Sequence, residues 1–394
     1  SVLSAVVKYH VTERMRQTVN DAMDVHGGKG ICMGPSNYLG RAYQSVPISI
    51  TVEGANILTR SMMIFGQGAI RCHPFVLKEM LATQNEDKDA ALTEFDDLLF
   101  RHIGFSLSNA SASLLLGLTG GRLADTPDYP ATKAYYRQLS RLAAAFATVT
   151  DCTMLMLGGE LKRRERISAR LGDVLSATLK HFDDQGRHEE DLPFVQWGVE
   201  DLLFKIEQSL HEVLLNFPDS RVGCLLRVVV FPLGRRLTPP ADAVGAEIAR
   251  SLMKPGGARD RLLDGCYQSQ DPADVTGLIN TTLEKVLQAD PIEVRLAKAI
   301  RSGELEHDSD ADMLAVAAES GVISPEEAEL VRDARIARRA VIDVDDFSKE
   351  EMDPTTRKTG KATKKPATTK GKQDPLEKEG VLENQPFPPP TAEE

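Results

Sequence analysis

The sequence has 394 residues, of which 42% are hydrophobic and only 5% aromatic, with a single tryptophan. That length allows two or three domains, and a composition rich in Leu, Ala, Arg and Glu favours helix over strand. The formal net charge of −11 argues against a nucleic-acid binder, which carries a broad basic excess.

In chain order, residues 1–26 read as one helix. Val6, Val7, His10, Met15, Val19, Ala22 and Met23 recur at steps of mainly three and four, the spacing of one helical face. The first ten residues already read as mid-helix, and no signal-peptide pattern precedes them; the chain is expected to be a fragment of a longer protein. Gly27-Gly28-Lys29-Gly30 follows. It reads either as an ordinary helix stop or as a turn whose backbone can approach a phosphate or nucleotide edge closely. No strand precedes it, so it is not a dinucleotide fingerprint.

Residues 31–46 read as a loop, and Pro47 with the β-branched run Ile48-Ser49-Ile50-Thr51-Val52 predicts an extended approach. Glu53 then enters a helix over about 54–69, with Ile57, Leu58, Met62 and Phe65 on one side. Apolar neighbours would desolvate a carboxylate and raise its pKa from about 4.3, as a general base for a carbon acid requires. The plain alternative is a helix-start Glu that complements the helix dipole.

From residue 75 onward the pattern is helix after helix, predicted over 94–118, 131–157, 159–182, 194–215, 241–254, 275–302 and 325–341. Breaks fall at Gly120-Gly121, Thr126-Pro127-Asp128, Gly158-Gly159, Asp183-Asp184-Gln185-Gly186, Pro218 and Pro239-Pro240, all turn formers. The apolar stretch 103–120 reads as a buried helix, although its length is borderline for a membrane span. Leu225-Leu226-Arg227-Val228-Val229-Val230-Phe231 fits a strand or a buried helix. In Ser324-Pro325-Glu326-Glu327 the serine can cap, the proline fits the first helical position and Glu327 can close a capping box. Residues 348–394, poor in aliphatics and rich in Lys, Thr, Glu and Pro, read as disordered. Their charges are segregated, basic over 357–372 and mostly acidic from 374 on; the basic part is expected to be a solvated linker.

Cys32, Cys72, Cys152, Cys224 and Cys266 show no CxxC and no His-paired spacing, so they read as reduced thiols rather than a disulfide framework or a zinc site. His10, His26, His73, His102, His181, His188, His211 and His307 show no ligand spacing and read as packed or surface side chains. No metal site is expected.

Three motifs occur in one order: Asp24-Val25-His26-Gly27-Gly28-Lys29-Gly30, then Arg41-Ala42-Tyr43-Gln44, then Val52-Glu53-Gly54 followed by Arg60. In order and spacing they resemble the C-terminal catalytic segment of the acyl-CoA dehydrogenases, and more closely the large bacterial branch with an extra helical C-terminal region. The strong likeness covers about residues 1–75. Two departures stand out: Asp24 where the family commonly has Gln, and Ala55 where it commonly has Thr.

The resemblance implies an all-α chain with the end of the catalytic helical bundle at 1–75, a helical extension at 76–345 and the tail at 346–394. It implies FAD as cofactor and fatty acyl-CoA as substrate, oxidised to the trans-2-enoyl thioester in the first step of β-oxidation. Glu53 matches the catalytic base, with Gly54 beside it at the thioester. Asp24, Val25, His26, Gly27 and Gly28 match a stretch that contacts the flavin nucleotide, typically one bound mainly by the partner subunit. Ala55, Asn56 and Ile57 match a second flavin-contacting stretch. An electron-transfer flavoprotein is the expected acceptor and a homodimer the expected assembly. The expected location is cytoplasmic, with weak association at the inner membrane. The isolated fragment is expected to be inactive. An acyl-CoA oxidase and a non-catalytic helical scaffold are the alternatives.

Overall fold

The computed structural model describes residues 2–128, 130–179, 191–306 and 312–352. Two compact units divide the chain, Ser1–Asp345 and Asp346–Glu394. Among the described residues the structure is helical, with no strand. The first unit opens with α1 (Val2–His26), α2 (Gly28–Ile31), α3 (Gly40–Thr51) and α4 (Asn56–Leu58), then a π-helix (Thr59–Gln67) that runs into α5 (Gly68–Cys72) and α6 (Val76–Ala82). Two long helices follow, α7 (Lys88–Thr119) and α8 (Lys133–Leu157), then a 3₁₀ segment (Gly158–Arg163), α9 (Glu165–Leu179), α10 (Leu192–Leu215), α11 (Ser220–Val230), α12 (Asp242–Leu252) and α13 (Gly257–Leu263). α14 (Val275–Ser302), α15 (Met313–Glu319) and α16 (Pro325–Ile342) complete it.

The largest core is built by α8 to α11. On α10, Val199, Leu203, Ile206, Leu210 and Val213 are all buried, at alternating steps of four and three that keep one stripe turned inward. Each such side chain contributes roughly 1.5–3 kcal/mol by leaving water. Leu142, Ala145 and Val149 of α8, Ile167, Leu171 and Val174 of α9, and Leu226 and Val230 of α11 close around that stripe, with Phe65 of the π-helix at its edge. A second core joins α14, α15 and α16 through Ile292, Leu296, Ala299, Leu314, Ala317 and Val331. Helix starts follow side-chain caps. Asp87, Asp219, Asp274 and Asp312 each accept from two backbone N–H groups of the following turn. At α16 the Ser324 hydroxyl accepts from Glu327 N (3.1 Å) while Glu327 accepts from Ser324 N (2.9 Å), the reciprocal capping box that the sequence predicts.

Several expectations are corrected. Residues 40–51 are helical, not loop and strand, and Pro47 lies inside that helix. Val46 and Ile50, four residues apart, are buried and α3 packs against α1, so tertiary packing outweighs the local cost of proline and β-branching. The helix expected over 54–69 is interrupted by π geometry, which changes its buried set. Asn56, Thr59, Ser61, Ile64 and Phe65 are inside, while Ile57, Leu58 and Met62 face out. The 225–231 run resolves as helix. The α7 stretch expected to be buried instead exposes Ile103, Leu107, Leu115 and Leu118. Its inward seam is small-residue, Ser113 and Gly117, and a Cβ on Gly117 would stand 2.8 Å from the Pro232 ring. One stretch among the described residues, 133–161, is long and apolar enough to cross a membrane; its inward face supplies Leu142, Ala145, Val149 and Leu157 to the largest core.

In the second unit the described part is short. Residues 349–352 form the helical turn α17 (Lys349–Met352), capped by Ser348 through Glu351, so the start of the stretch read as disordered carries local structure. Residues 353–394, including the segregated charges, lie outside the described residues, as do the turn at 183–186 and His181, His188 and His307.

Candidate functional site around Glu53

α3 ends at Thr51 with Val52 N donating to Ile48 O (3.0 Å). Val52 is extended, and then Glu53 (φ 53°) and Gly54 (φ 86°) both take left-handed backbone. Glycine adopts that region freely, whereas a residue with a Cβ is strained there by roughly 1–2 kcal/mol. Among the described residues Glu53 is the one non-glycine held this way. Such strain persists only where surroundings over-determine it, and it gathers at functional turns.

The surroundings here are α1. The Lys8 ammonium donates to Gly54 O (2.9 Å) and to Asn56 Oδ1 (2.6 Å). Asn56, itself buried, donates through Nδ2 to Thr12 Oγ1 (2.9 Å) and Glu13 Oε1 (2.8 Å). The Thr59 hydroxyl adds a second bond to Gly54 O (3.1 Å). Lys8, Thr12 and Glu13 of α1 thus hold the turn at Gly54 O and at the Asn56 side chain that follows it. Asn56 spends its polar atoms on α1, and of its neighbours Ala55 is half-buried while Ile57 is exposed.

Behind the turn, Arg60 forks onto Asp173 of α9, with Nε to Oδ1 at 2.8 Å and a terminal nitrogen to Oδ2. The Asp173 hydrogen bond holds the guanidinium pKa above its ordinary value, against the effect of burial. Burial and then the Asp173 charge push the Tyr9 phenol up as well. α9 approaches the π-helix closely at this point: a Cβ on Gly172 would lie 2.6 Å from Arg60 O.

Glu53 itself is exposed. The desolvation expected from its apolar neighbours does not arise within this chain, because Ile48 (60%), Val52 (47%), Ile57 (72%) and Leu58 (44%) face outward beside it. The carboxylate therefore sits among uncovered apolar side chains, a surface suited to burial against something else.

The glycine turn occupies the other end of α1. Lys8 and His26 are 18 positions apart, roughly 27 Å along a helix, so the structure does not bring Glu53 and the Gly27-Gly28 stretch together in one chain. Asp24, Val25, Gly27 and Gly28 are exposed and His26 half-buried. His26 Nδ1 lies 2.8 Å from Ala22 O and Nε2 2.8 Å from the Tyr38 hydroxyl. A carbonyl only accepts, so Nδ1 carries the proton and Nε2 accepts from Tyr38. Burial raises the Tyr38 phenol pKa. Gly27 has φ 53°, with no atom within 4 Å of where a Cβ would sit.

One partner of this turn is not visible from local sequence. Lys29, buried, donates to Val341 O at the end of α16. Asp345 accepts from the Ser36 hydroxyl (2.8 Å) and backbone N–H (3.1 Å). The far end of the helical extension is thus tied to the loop that follows the glycines.

No solved structure matches the chain. Comparison with known protein families matches residues 70–347 to the family described as acyl-CoA dehydrogenase, C-terminal, bacterial type. The match begins after Glu53 and the glycine turn, and covers α6 to α16 whole. With its helical architecture, this chain belongs to the bacterial-type acyl-CoA dehydrogenase C-terminal family.

Proposed function

We propose that the chain is the carboxyl-terminal portion of a flavin-dependent enzyme that oxidises fatty acyl-CoA to the trans-2-enoyl thioester, with Glu53 as its base. The carrying observation is the Glu53-Gly54 turn: an exposed carboxylate on strained backbone, held at Gly54 and Asn56 by Lys8, with exposed apolar residues on either side of it in the chain. Family membership supplies the reaction class.

Glu53 removes the α-proton of the thioester. That proton is weakly acidic, so the base must be held at the carbon and kept from water. The brace from α1 does the holding. Ile48, Val52, Ile57 and Leu58 exclude water once the acyl chain and the rest of the catalytic bundle cover them, and the desolvation raises the basicity of Glu53. The backbone N–H of Glu53 lies beyond the last hydrogen bond of α3 and is available to the thioester oxygen, where it would stabilise developing enolate charge. Flavin, when bound, supplies the acceptor for the β-hydrogen.

The glycine turn fits a flavin nucleotide. Gly27 and Gly28 are exposed, and the space beside Gly27 is open. Its distance from Glu53 along α1 suits a contact with the nucleotide held mainly by a partner subunit in a homodimer, with Asp24, Val25 and His26 beside it. Ala55 and Ile57 stand where the second flavin contact is proposed. Electrons leave to an electron-transfer flavoprotein, and the enzyme works in the cytoplasm, peripheral to the inner membrane.

The test is Glu53→Gln in the complete enzyme, which removes the base with little change in volume. Flavin content is expected to stay and acyl-CoA-dependent flavin bleaching to vanish. Retained dehydrogenation in that variant would sink the assignment.

A further inference from the structure

Three side chains that no sequence spacing connects meet at one point. His73 follows α5, His102 lies on α7 and Asp151 on α8. One ligand atom from each lies within 4.8 Å of the others. His73 Nε2 is 2.9 Å, and His102 Nε2 3.8 Å, from Asp151 Oδ1. Around a tetrahedral ion bonded to nitrogen or oxygen at about 2.0–2.2 Å, donor atoms stand roughly 3–3.5 Å apart. The His73–Asp151 separation is already near that spacing, and His102 has to move inward to share an ion.

The surroundings are those of ligands held in place. Glu79 Oε1 lies 2.8 Å from His102 Nδ1, so that nitrogen is the donor and Nε2 keeps its lone pair toward Asp151. A carboxylate on the far nitrogen of a histidine fixes the ring and raises its strength as a ligand. The Ser106 hydroxyl, one turn along from His102, donates to Asp151 Oδ2 (2.6 Å) and leaves Oδ1 inward. Phe75 stacks on His102 (5.4 Å, 12°) and Phe105 meets His73 edge-on (5.6 Å). The side chains of His73 and Asp151 are each 9% exposed and that of His102 19%, so the cluster is walled but reachable.

We propose that His73, His102 and Asp151 form a binding site for one divalent transition-metal ion of the zinc class, with a solvent molecule completing four-coordination. Two imidazoles and a carboxylate suit zinc over magnesium or calcium, which prefer all-oxygen sites. The ion braces three elements, the turn after α5, α7 and α8. Capture requires one rearrangement. His73 Nδ1 receives the N–H groups of Phe75 (3.2 Å) and Val76 (3.3 Å), so without metal its proton sits on Nε2 and is given to Asp151. Binding moves that proton from Nε2 to Nδ1, the imidazole stays neutral overall, and the two long contacts from the turn are released.

The experiment uses the full chain, stripped with chelator and titrated with Zn²⁺ by calorimetry and with Co²⁺ by visible absorption. One equivalent is expected to bind, with the Co²⁺ spectrum of a four-coordinate nitrogen–oxygen site and a raised melting temperature. His102→Gln and Asp151→Asn should each weaken binding at least tenfold. Glu79→Gln keeps all three ligands and serves where a ligand variant fails to fold; it should weaken binding tenfold to a hundredfold. Exposed Cys72, next to His73, is the competing ligand, and Cys72→Ser should leave the affinity unchanged. No saturable uptake, affinity unchanged in Glu79→Gln, or binding abolished by Cys72→Ser alone would each overturn the proposal.

Discussion

Glu207, on the inward face of α10, has no exposed side-chain surface. Its Oε2 accepts from Arg141 of α8 (2.9 Å), and its Oε1 accepts from the backbone N–H groups of Arg236 (2.9 Å) and, at longer range, Leu237 (3.4 Å) in the strap after α11. Replacing Glu207 with Leu strands the Arg141 guanidinium, 7% exposed; an uncompensated buried charge costs about 3–5 kcal/mol. The orphaned Arg236 N–H adds about 1–3 kcal/mol. Arg141 also lines a cavity of about 560 Å³ between α7, α8 and the strap, through which water reaches it, so the lower end, about 4 kcal/mol, is expected. The second substitution, Arg141→Met, removes the stranded charge. The double variant should therefore recover most of the loss and retain only the orphan N–H deficit, about 1–3 kcal/mol. Trp197 on α10 is the chain's single tryptophan and reports the transition directly by fluorescence in urea. If the double variant is no more stable than Glu207→Leu alone, the loss does not come from the stranded charge and the reasoning fails.

Gly172→Ala forces a Cβ to within 2.6 Å of Arg60 O; separating α9 from the π-helix should cost about 1–3 kcal/mol, read as a lower urea midpoint, and an unchanged midpoint would contradict close packing of α9 on the π-helix. Glu293 of α14 receives Arg335 of α16 in a fork (2.9 and 2.8 Å), and that hydrogen bond, outweighing burial, holds its carboxyl below the ordinary value. Because the folded-state pKa is depressed, the stabilisation is fully present above the unfolded value of about 4.3 and is lost as pH falls through the folded value. Melting temperatures of wild type and Glu293→Gln should therefore differ at neutral pH and converge in acid; a difference that persists into strong acid would refute the assignment.

How much was legible in the sequence depended on the range of the deciding interaction. The α16 capping box spans four consecutive residues and was readable outright. So were the breaks at Gly120-Gly121, Thr126-Pro127-Asp128, Gly158-Gly159, Pro218 and Pro239-Pro240, because a turn is decided by the residues in it. α3 was not: Pro47 and its β-branched neighbours point away from helix, and the burial of Val46 and Ile50 overrides them. The helix at 54–69 likewise breaks into a short α4 and a π-helix, and Ile57, Leu58 and Met62 face outward, opposite to the side a continuous α-helical period assigns. Arg60 could be picked out by position, but its partner Asp173 lies 113 residues away. The His73–His102–Asp151 cluster left no spacing signal, since each member comes from a different element. Glu53 was identified by resemblance to a family, whereas its strained backbone and the Lys8 brace became visible only in three dimensions.

The tie between Lys29 and Val341 has a consequence in time. The two residues are 312 positions apart, and synthesis at about 5–20 residues per second separates their emergence by roughly 15–60 s. For that interval the glycine turn lacks the acceptor for its buried ammonium, and the Ser36 loop lacks Asp345. The corner at the glycine turn is therefore among the last parts of the first unit to set, after both helical cores have the residues they need. A chain cut short before α16 would carry every residue of that corner and still leave it unfastened, so the extension works as the clasp of a necklace whose beads are already strung.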